Sequence, residues 1–217
     1  MLQFFNNGGR QCFPWIKASD PSGRSQEPVL LPPAGYIAGV YARTDAERGV
    51  WKAPAGTAAT LSGAVGLAVE LDDVNHGRLN PKGVNAIRRF TGAGIVSFGA
   101  RTMSGDDPEW NYVPVRCTAI MLRVSIYYGI QWAVFEPNDE TLWSQLRLKI
   151  RTFMMNLFRQ GAFQGSSPAD AFFVKCDGET TTPGDIDLGI VNVVIGFAPV
   201  KPAEFVIVQI SQKAGQA

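Results

Sequence analysis

The chain has 217 residues, 46% hydrophobic and 18% charged, enough apolar material for a sizeable core and too much for global disorder. Its 20 Lys and Arg stand against 19 Asp and Glu, for a formal charge of +1, which leaves no field to draw in nucleic acid or an anionic membrane. The same balance leaves weak colloidal repulsion and suits a protein that packs against copies of itself.

The stretch up to Leu31 is interrupted by Gly8-Gly9, Pro14, Pro21, Gly23 and Pro28 and reads as an extended lead-in, anchored by Trp15 and Ile16. A helix is expected from Pro32-Pro33 through Ile37, Val40 and Tyr41 to Arg48-Gly49. A turn-rich loop covers residues 49–56, and Leu67 to Leu71 reads as a strand followed by a loop, Asp72-Asp73-Val74-Asn75. Pro81 to Arg89 is expected as a short helix capped by Asn80, and Ile95 to Met103 as a strand. Two long helices follow, from about Val115 to Tyr128 and from about Asp139 to Gln160. The second has an apolar stripe of Leu142, Leu146, Ile150, Phe153, Leu157 and Phe158. Its acidic start, Asp139-Glu140, and later Arg and Lys complement the helix dipole. Ala171 to Cys176 is a short strand, residues 177–185 a polar loop, and Leu188 to Phe197 a Val- and Ile-rich segment. After the turn at Pro199 to Pro202, Phe205, Ile207 and Gln209 point one way and Val206, Val208 and Ile210 the other, so this strand expects cover on both faces or a partner. The fold class is therefore α/β in the α+β sense: a mixed sheet flanked by helices, with a C-terminal β-hairpin or extended arm. The expected divisions are a lead-in over 1–31, a core domain over 32–210 and a loose tail over 211–217.

Enzyme chemistry finds little support. The one histidine, His76, sits in the polar run Asn75-His76-Gly77 and reads as a solvated loop residue without a nucleophile. Neither a GxSxG elbow nor a GxxxxGK[ST] loop occurs, and Gly92-Ala93-Gly94 precedes a strand, the wrong context for a nucleotide. Asp72-Asp73, Asp106-Asp107 with Glu109, and the acids around Thr180 to Thr182 lack the alternation of a calcium loop and read as solvated turns. Cys12, Cys117 and Cys176 are scattered, with no CxxC pair, and read as reduced thiols. No metal or cofactor is expected. No run approaches the ~18 apolar residues of a membrane span. Met1 to Gly9 lacks the pattern of a signal peptide, so cytoplasmic synthesis and assembly are the expectation. Arg147, Arg151 and Arg159, spaced by four and eight, read as one helix flank: a solvated face, a docking face for an acidic partner or, least, a nucleic-acid contact.

Several segments together resemble the conserved C-terminal part of contractile phage tail sheath proteins. They are Pro32 to Asp45, Gly49 to Gly56, Leu79-Asn80-Pro81, Gly83-Val84-Asn85, Gly99-Ala100-Arg101-Thr102, Tyr112 to Arg116, Phe135-Glu136-Pro137-Asn138, Ala198-Pro199 and Pro202-Ala203-Glu204-Phe205. Phe4 to Arg10 and Phe13 to Ile16 resemble segments that flank an inserted domain in that family. Their near junction here implies a short form without the insertion or most of the N-terminal arm.

The resemblance implies a structural, non-enzymatic subunit that stacks helically around an inner tube and contracts to drive it through an envelope. Its implied partners are copies of itself, the inner tail tube protein, and baseplate and tail terminator proteins, in a virion tail or tail-like particle. Nucleic acid and membrane insertion are not implied. The resemblance also implies that terminal arms add strands to neighbouring subunits, with Phe205, Val206, Ile207, Val208, Gln209 and Ile210 as the linking strand. Arg147, Arg151 and Arg159 become candidates for the tube contact. Two other readings remain: a sheath-fold terminator or adaptor that does not polymerise, and a small α/β enzyme.

Overall fold

The computed structural model describes residues 9–20, 22–23, 26–103 and 107–204. Two strands open it, β1 (Gln11–Phe13) and β2 (Ile16–Ala18), separated by Pro14, which has no N–H to continue a ladder. The break sends the two strands into different sheets. Strand β3 (Val29–Leu31) pairs antiparallel with β2. Helix α1 (Ala34–Arg48) follows Pro32-Pro33 as expected and buries Ile37 and Val40.

Strand β4 (Ala64–Leu67) completes the sheet β3-β2-β4 and ends where the sequence placed a strand's beginning. The expected loop at residues 72–75 is instead the start of helix α2 (Asp73–Leu79), because the Asp72 carboxylate accepts the Asn75 backbone N–H at 2.7 Å. The expected helix over Pro81 to Arg89 is also corrected. Only a 3-10 turn, Asn80–Lys82, forms before Gly83 takes a left-handed φ of 74° against Thr102, and strand β5 (Val84–Phe90) follows. Strand β5 runs between β1, its parallel neighbour, and antiparallel β6 (Gly94–Phe98). Asn85, Ala86, Ile87 and Arg88 are consecutively buried, so the period-two signature of a strand is lost.

The supposed lead-in is thus structural. Ile16 is fully buried among Ile37, Val40, Leu61, Leu67, Ile87 and Ile95, whereas Trp15 points outward and does not anchor. Burying an isoleucine stabilises by about 2 kcal/mol, so Ile16 carries the anchoring role alone. Strand β6 stops at Phe98 because Gly99 lies against Asn85, 2.9 Å from where a Cβ would stand. The buried Asn85 amide then takes over from the ladder. Its Oδ1 accepts the Arg101 N–H at 2.7 Å, and its Nδ2 donates to the Arg101 carbonyl at 2.8 Å and the Gln11 carbonyl at 3.2 Å.

The second half is built on helices. Helix α3 (Val113–Gly129) and helix α4 (Glu140–Arg159) match the expected long helices, and Asp139 caps α4 by accepting the Leu142 N–H. Short helix α5 (Pro168–Ala171) leads into β7 (Phe172–Lys175). Helix α6 (Pro183–Asp187), set by a Thr182–Asp185 capping box, interrupts the expected polar loop. Strand β8 (Val194–Phe197) pairs antiparallel with β7, from Phe172 against Phe197 to Lys175 against Val194. Helix α4 presses Ile150, Met154 and Leu157 onto Phe172 of this ladder and onto Phe163 beside it, and Leu142, Trp143 and Leu146 onto Cys176. The whole is an α+β fold. The expected strand Phe205 to Ile210 lies outside the described residues.

Candidate subunit-contact site

Three of the sequence segments singled out above converge where the described chain ends. Arg101 Nε donates to both carboxylate oxygens of Glu204 at 3.1 Å, and its Nη1 reaches the Asn80 carbonyl at 3.4 Å. The side chains of Arg101 and Glu204 are only 17% and 14% exposed, so the pair is shielded and forms a clamp across the fold. The hydrogen bond to Glu204 holds the Arg101 pKa above its ordinary value, while burial and the Glu204 charge raise that of Tyr112. Thr102 Oγ1 donates to the Trp110 carbonyl at 2.9 Å and fixes the segment behind the clamp.

Beside the clamp lies a cavity of about 340 Å³, lined by Trp51, His76, Asn80, Phe98, Pro202 and Glu204 among others. His76 is therefore no freely solvated loop residue. It sits on α2, half-buried, with its ring 5.4 Å from that of Phe98. Burial first, and then the Arg88 charge, push its pKa below the ordinary value.

The acidic clusters are occupied with local structure. Asp72 caps α2, Asp73 pairs with Arg88 at 2.8 Å, Asp107 accepts the N–H groups of Glu109 and Trp110, and Asp177 those of Glu179 and Thr180. Asp106 lies outside the described residues. Among the described residues no three His, Cys, Asp or Glu side chains gather to hold a metal ion, and no helix is long and apolar enough to cross a membrane. Cys12, Cys117 and Cys176 are free thiols whose pKa values burial raises.

The arginines of α4 are not equivalent. Arg147 is half-buried and donates to the Glu140 carboxylate and the Cys176 carbonyl, so its head is largely committed inside the molecule. Arg151 and Arg159 are exposed. At 3.6 residues per turn Arg151 lies roughly 40° round the helix from Arg147, and Arg159 roughly 120°. The three therefore spread from the flank to the back of α4.

Sequence reasoning missed an apolar display around the end of α3. Helix α3 turns Leu122 and Ile126 to the core, while Ile120, Val124, Tyr127 and Tyr128 on its outer side are exposed. Just beyond it, Val134 and Phe135 stand out from the turn, Phe135 entirely in solvent. The segment Phe135 to Asn138 divides its labour. Asn138 accepts the Trp143 indole N–H at 2.8 Å and donates to the Ile190 carbonyl, while Phe135 and Glu136 face outward. An aromatic next to an acid and a proline between two helices was the available signal.

Comparison with known proteins places this geometry. Residues 2–103 match the phage tail sheath protein central domain family, and residues 105–213 match the phage tail sheath C-terminal domain family. A tail sheath protein of Vibrio phage KVP40 is 31% identical over 157 residues, which cover 72% of this chain and 22% of that protein. A putative prophage major tail sheath protein of Pseudomonas aeruginosa is 30% identical, over 80% of this chain and 44% of its own length. Among solved structures, a chain of the anti-feeding prophage baseplate superposes with a TM-score of 0.86 at 37% identity, covering 95% of this chain and 56% of that one. The contracted sheath complex of an extracellular contractile injection system gives 0.85 at 37% identity, covering 94% and 56%. The chain spans between about a fifth and somewhat over half of these relatives' lengths. It belongs to the phage tail sheath family.

Proposed function

We propose that this chain is the structural core of a contractile tail sheath subunit, which stacks helically with copies of itself around an inner tube and drives that tube through a target envelope on contraction. The observation that carries the reading is the superposition of nearly the whole chain on sheath chains at 37% identity, including the anti-feeding prophage helical sheath in its contracted state, at a TM-score of 0.84. The role is mechanical and not enzymatic. Its setting is a virion tail or tail-like particle put together in the bacterial cytoplasm, with the tube, baseplate and terminator proteins as neighbours.

Cohesion in such a lattice is best supplied by strand addition, because main-chain hydrogen bonds hold neighbours while leaving their relative angle free. The β7–β8 ladder gains no third strand among the described residues and is short of a sheet stable by itself, so it suits such addition. Phe205 to Ile210 is the linking strand in this reading, and the Arg101–Glu204 clamp sets the point from which it departs. Arg151 and Arg159, more than the committed Arg147, supply a rim contact to an acidic tube, of the kind that breaks and re-forms on contraction. A second reading, a sheath-fold adaptor that does not polymerise, draws on the likeness to a chain of the anti-feeding prophage baseplate.

Sedimentation tests the reading. Deleting residues 204–217 is expected to move the chain from a pelleting polymer to a soluble, folded species. Polymer that persists unchanged excludes the linking strand. Reversing Arg151 and Arg159 to Glu is expected to weaken co-sedimentation with the tube, most at low salt; equal binding removes that helix from the interface.

A further inference from the structure

Phe135 combines two costs that nothing among the described residues repays. Its side chain is fully exposed, and its φ of 71° is the one left-handed value of a non-glycine among the described residues. A bulky residue there is a true outlier, and such strain gathers at functional positions. Phe135 and the adjoining exposed Val134 follow shortly after the end of α3, where exposed Tyr127 and Tyr128 meet edge to face at 5.5 Å; this apolar stretch is the Phe135 ridge. Aromatic anchors of this type dominate contact energies when a partner's pocket covers them.

A fitting recess lies on the other half of the molecule. A groove of about 670 Å³ runs along α1 between Tyr36, Val40, Leu31 and Leu61, and Gly39 forms part of its floor. Gly39 is exposed in mid-helix, and a Cβ there would meet nothing within 4 Å. Glycine in a helix interior costs up to about 1 kcal/mol, and no close approach among the described residues requires it here. The charges complement each other as well. Glu136 is the one charged residue from Tyr127 to Asn138, and Arg43, held by the Thr60 carbonyl at 2.8 Å, is the one charged residue lining the groove. Ile126 and Ile130, beside the ridge in sequence, pack on the Leu122–Met154 core, whereas Val40 and Leu61 of the groove belong to the Ile16–Ile87 core, so convex and concave patches belong to different parts of the subunit.

We propose that the Phe135 ridge of one copy seats in the α1 groove of the next, with Glu136 at Arg43. A contact between two different patches does not close on itself in pairs; it propagates, as an open helical lattice requires. This deepens the sheath reading and rests on it for the identity of the partner, a second copy of the chain. A tight ring-in-groove contact with one rim ion pair holds register, and it is independent of the strand exchanged by the terminal arm.

Cysteine cross-linking tests it. The full chain is made as Gly39→Cys, as Phe135→Cys and as the double variant, mildly oxidised, and viewed in parallel by electron microscopy. Both positions are exposed, so the variants keep the fold. The double variant is expected to give a ladder of disulfide-linked multimers, and an equal mixture of the two single variants a dimer that neither gives alone. Glu136→Arg should reduce the yield about threefold, the scale of a rim ion pair, and Arg43→Glu in the same chain should restore it. Polymers without the ladder overturn the ridge-and-groove contact and leave the sheath reading standing. Cross-linked pairs without polymers support the contact and contradict the polymer. A dimer from Phe135→Cys alone means a self-symmetric contact and overturns the proposal, and absence of both polymer and cross-link overturns both.

Discussion

Residues 11–98 gather their core around a strand three residues long, β2, whereas residues 113–197 gather theirs around a helix of 20, α4. In the first region the decisive contacts join distant parts of the chain: β1 lies against β5, and Asn85 links Gln11 with Arg101. In the second, one amphipathic helix covers a two-stranded ladder, and most of its order is local. The first region is therefore a cross-braced block, and the second a helical platform that leaves apolar surface uncovered among the described residues. Trp51, packed on the second region's core, and the Arg101–Glu204 clamp hold the two together.

The largest expected loss comes from the brace. Asn85→Ala leaves an N–H and two carbonyls without their partner in the interior and should cost about 4 kcal/mol in urea unfolding. Next, Ile16→Ala and Met154→Ala should cost about 3 kcal/mol each, since both side chains are wholly buried. A cost below about 1 kcal/mol at Ile16 would break the comparison and return residues 11–18 to the status of a loose lead-in.

The clamp gives a smaller number and sharpens the seam. Arg101→Ala and Glu204→Ala, combined in a double-mutant cycle, should show a coupling of about 1–2 kcal/mol. Loss of the clamp should also speed amide exchange over residues 198–204 without touching α4. Uniform acceleration across both regions would mean that the seam is part of one core.

The smallest effect is a pH dependence. Burial and Arg88 disfavour the charged His76 ring, with Asp73 and Glu204 opposing them, so the folded chain binds this proton less readily than the unfolded one. Its contribution is complete above about pH 6.5, the value of a free histidine, and is lost as pH falls below that. His76→Gln should therefore flatten the decline in Tm from pH 7 towards pH 5; an unchanged slope would place the ring in solvent.

Legibility in the sequence divides along the same line. Helices α1, α3 and α4 showed themselves through 3.6-residue periodicity and their Pro and Asp starts, because each buries one face only. Strands β1 and β2 are too short to carry a period, and Pro14 between them looks like loop punctuation although it divides two sheets. Strand β5 is covered on both sides, so its unbroken buried run resembled a helix. The clamp was half legible: the sequence flagged the segments of both Arg101 and Glu204 by resemblance, but not that they meet across 103 positions. For Phe135 the sequence offered only an aromatic beside an acid and a proline between two helices, since exposure itself depends on what the rest of the chain leaves uncovered.

The central claim is that this chain builds a helical sheath. Negative-stain electron microscopy of the purified chain, alone and with its inner tube, tests it most directly. The account predicts tubes or stacked rings, with the tube inside them when it is supplied. Uniform small particles in both samples would contradict it.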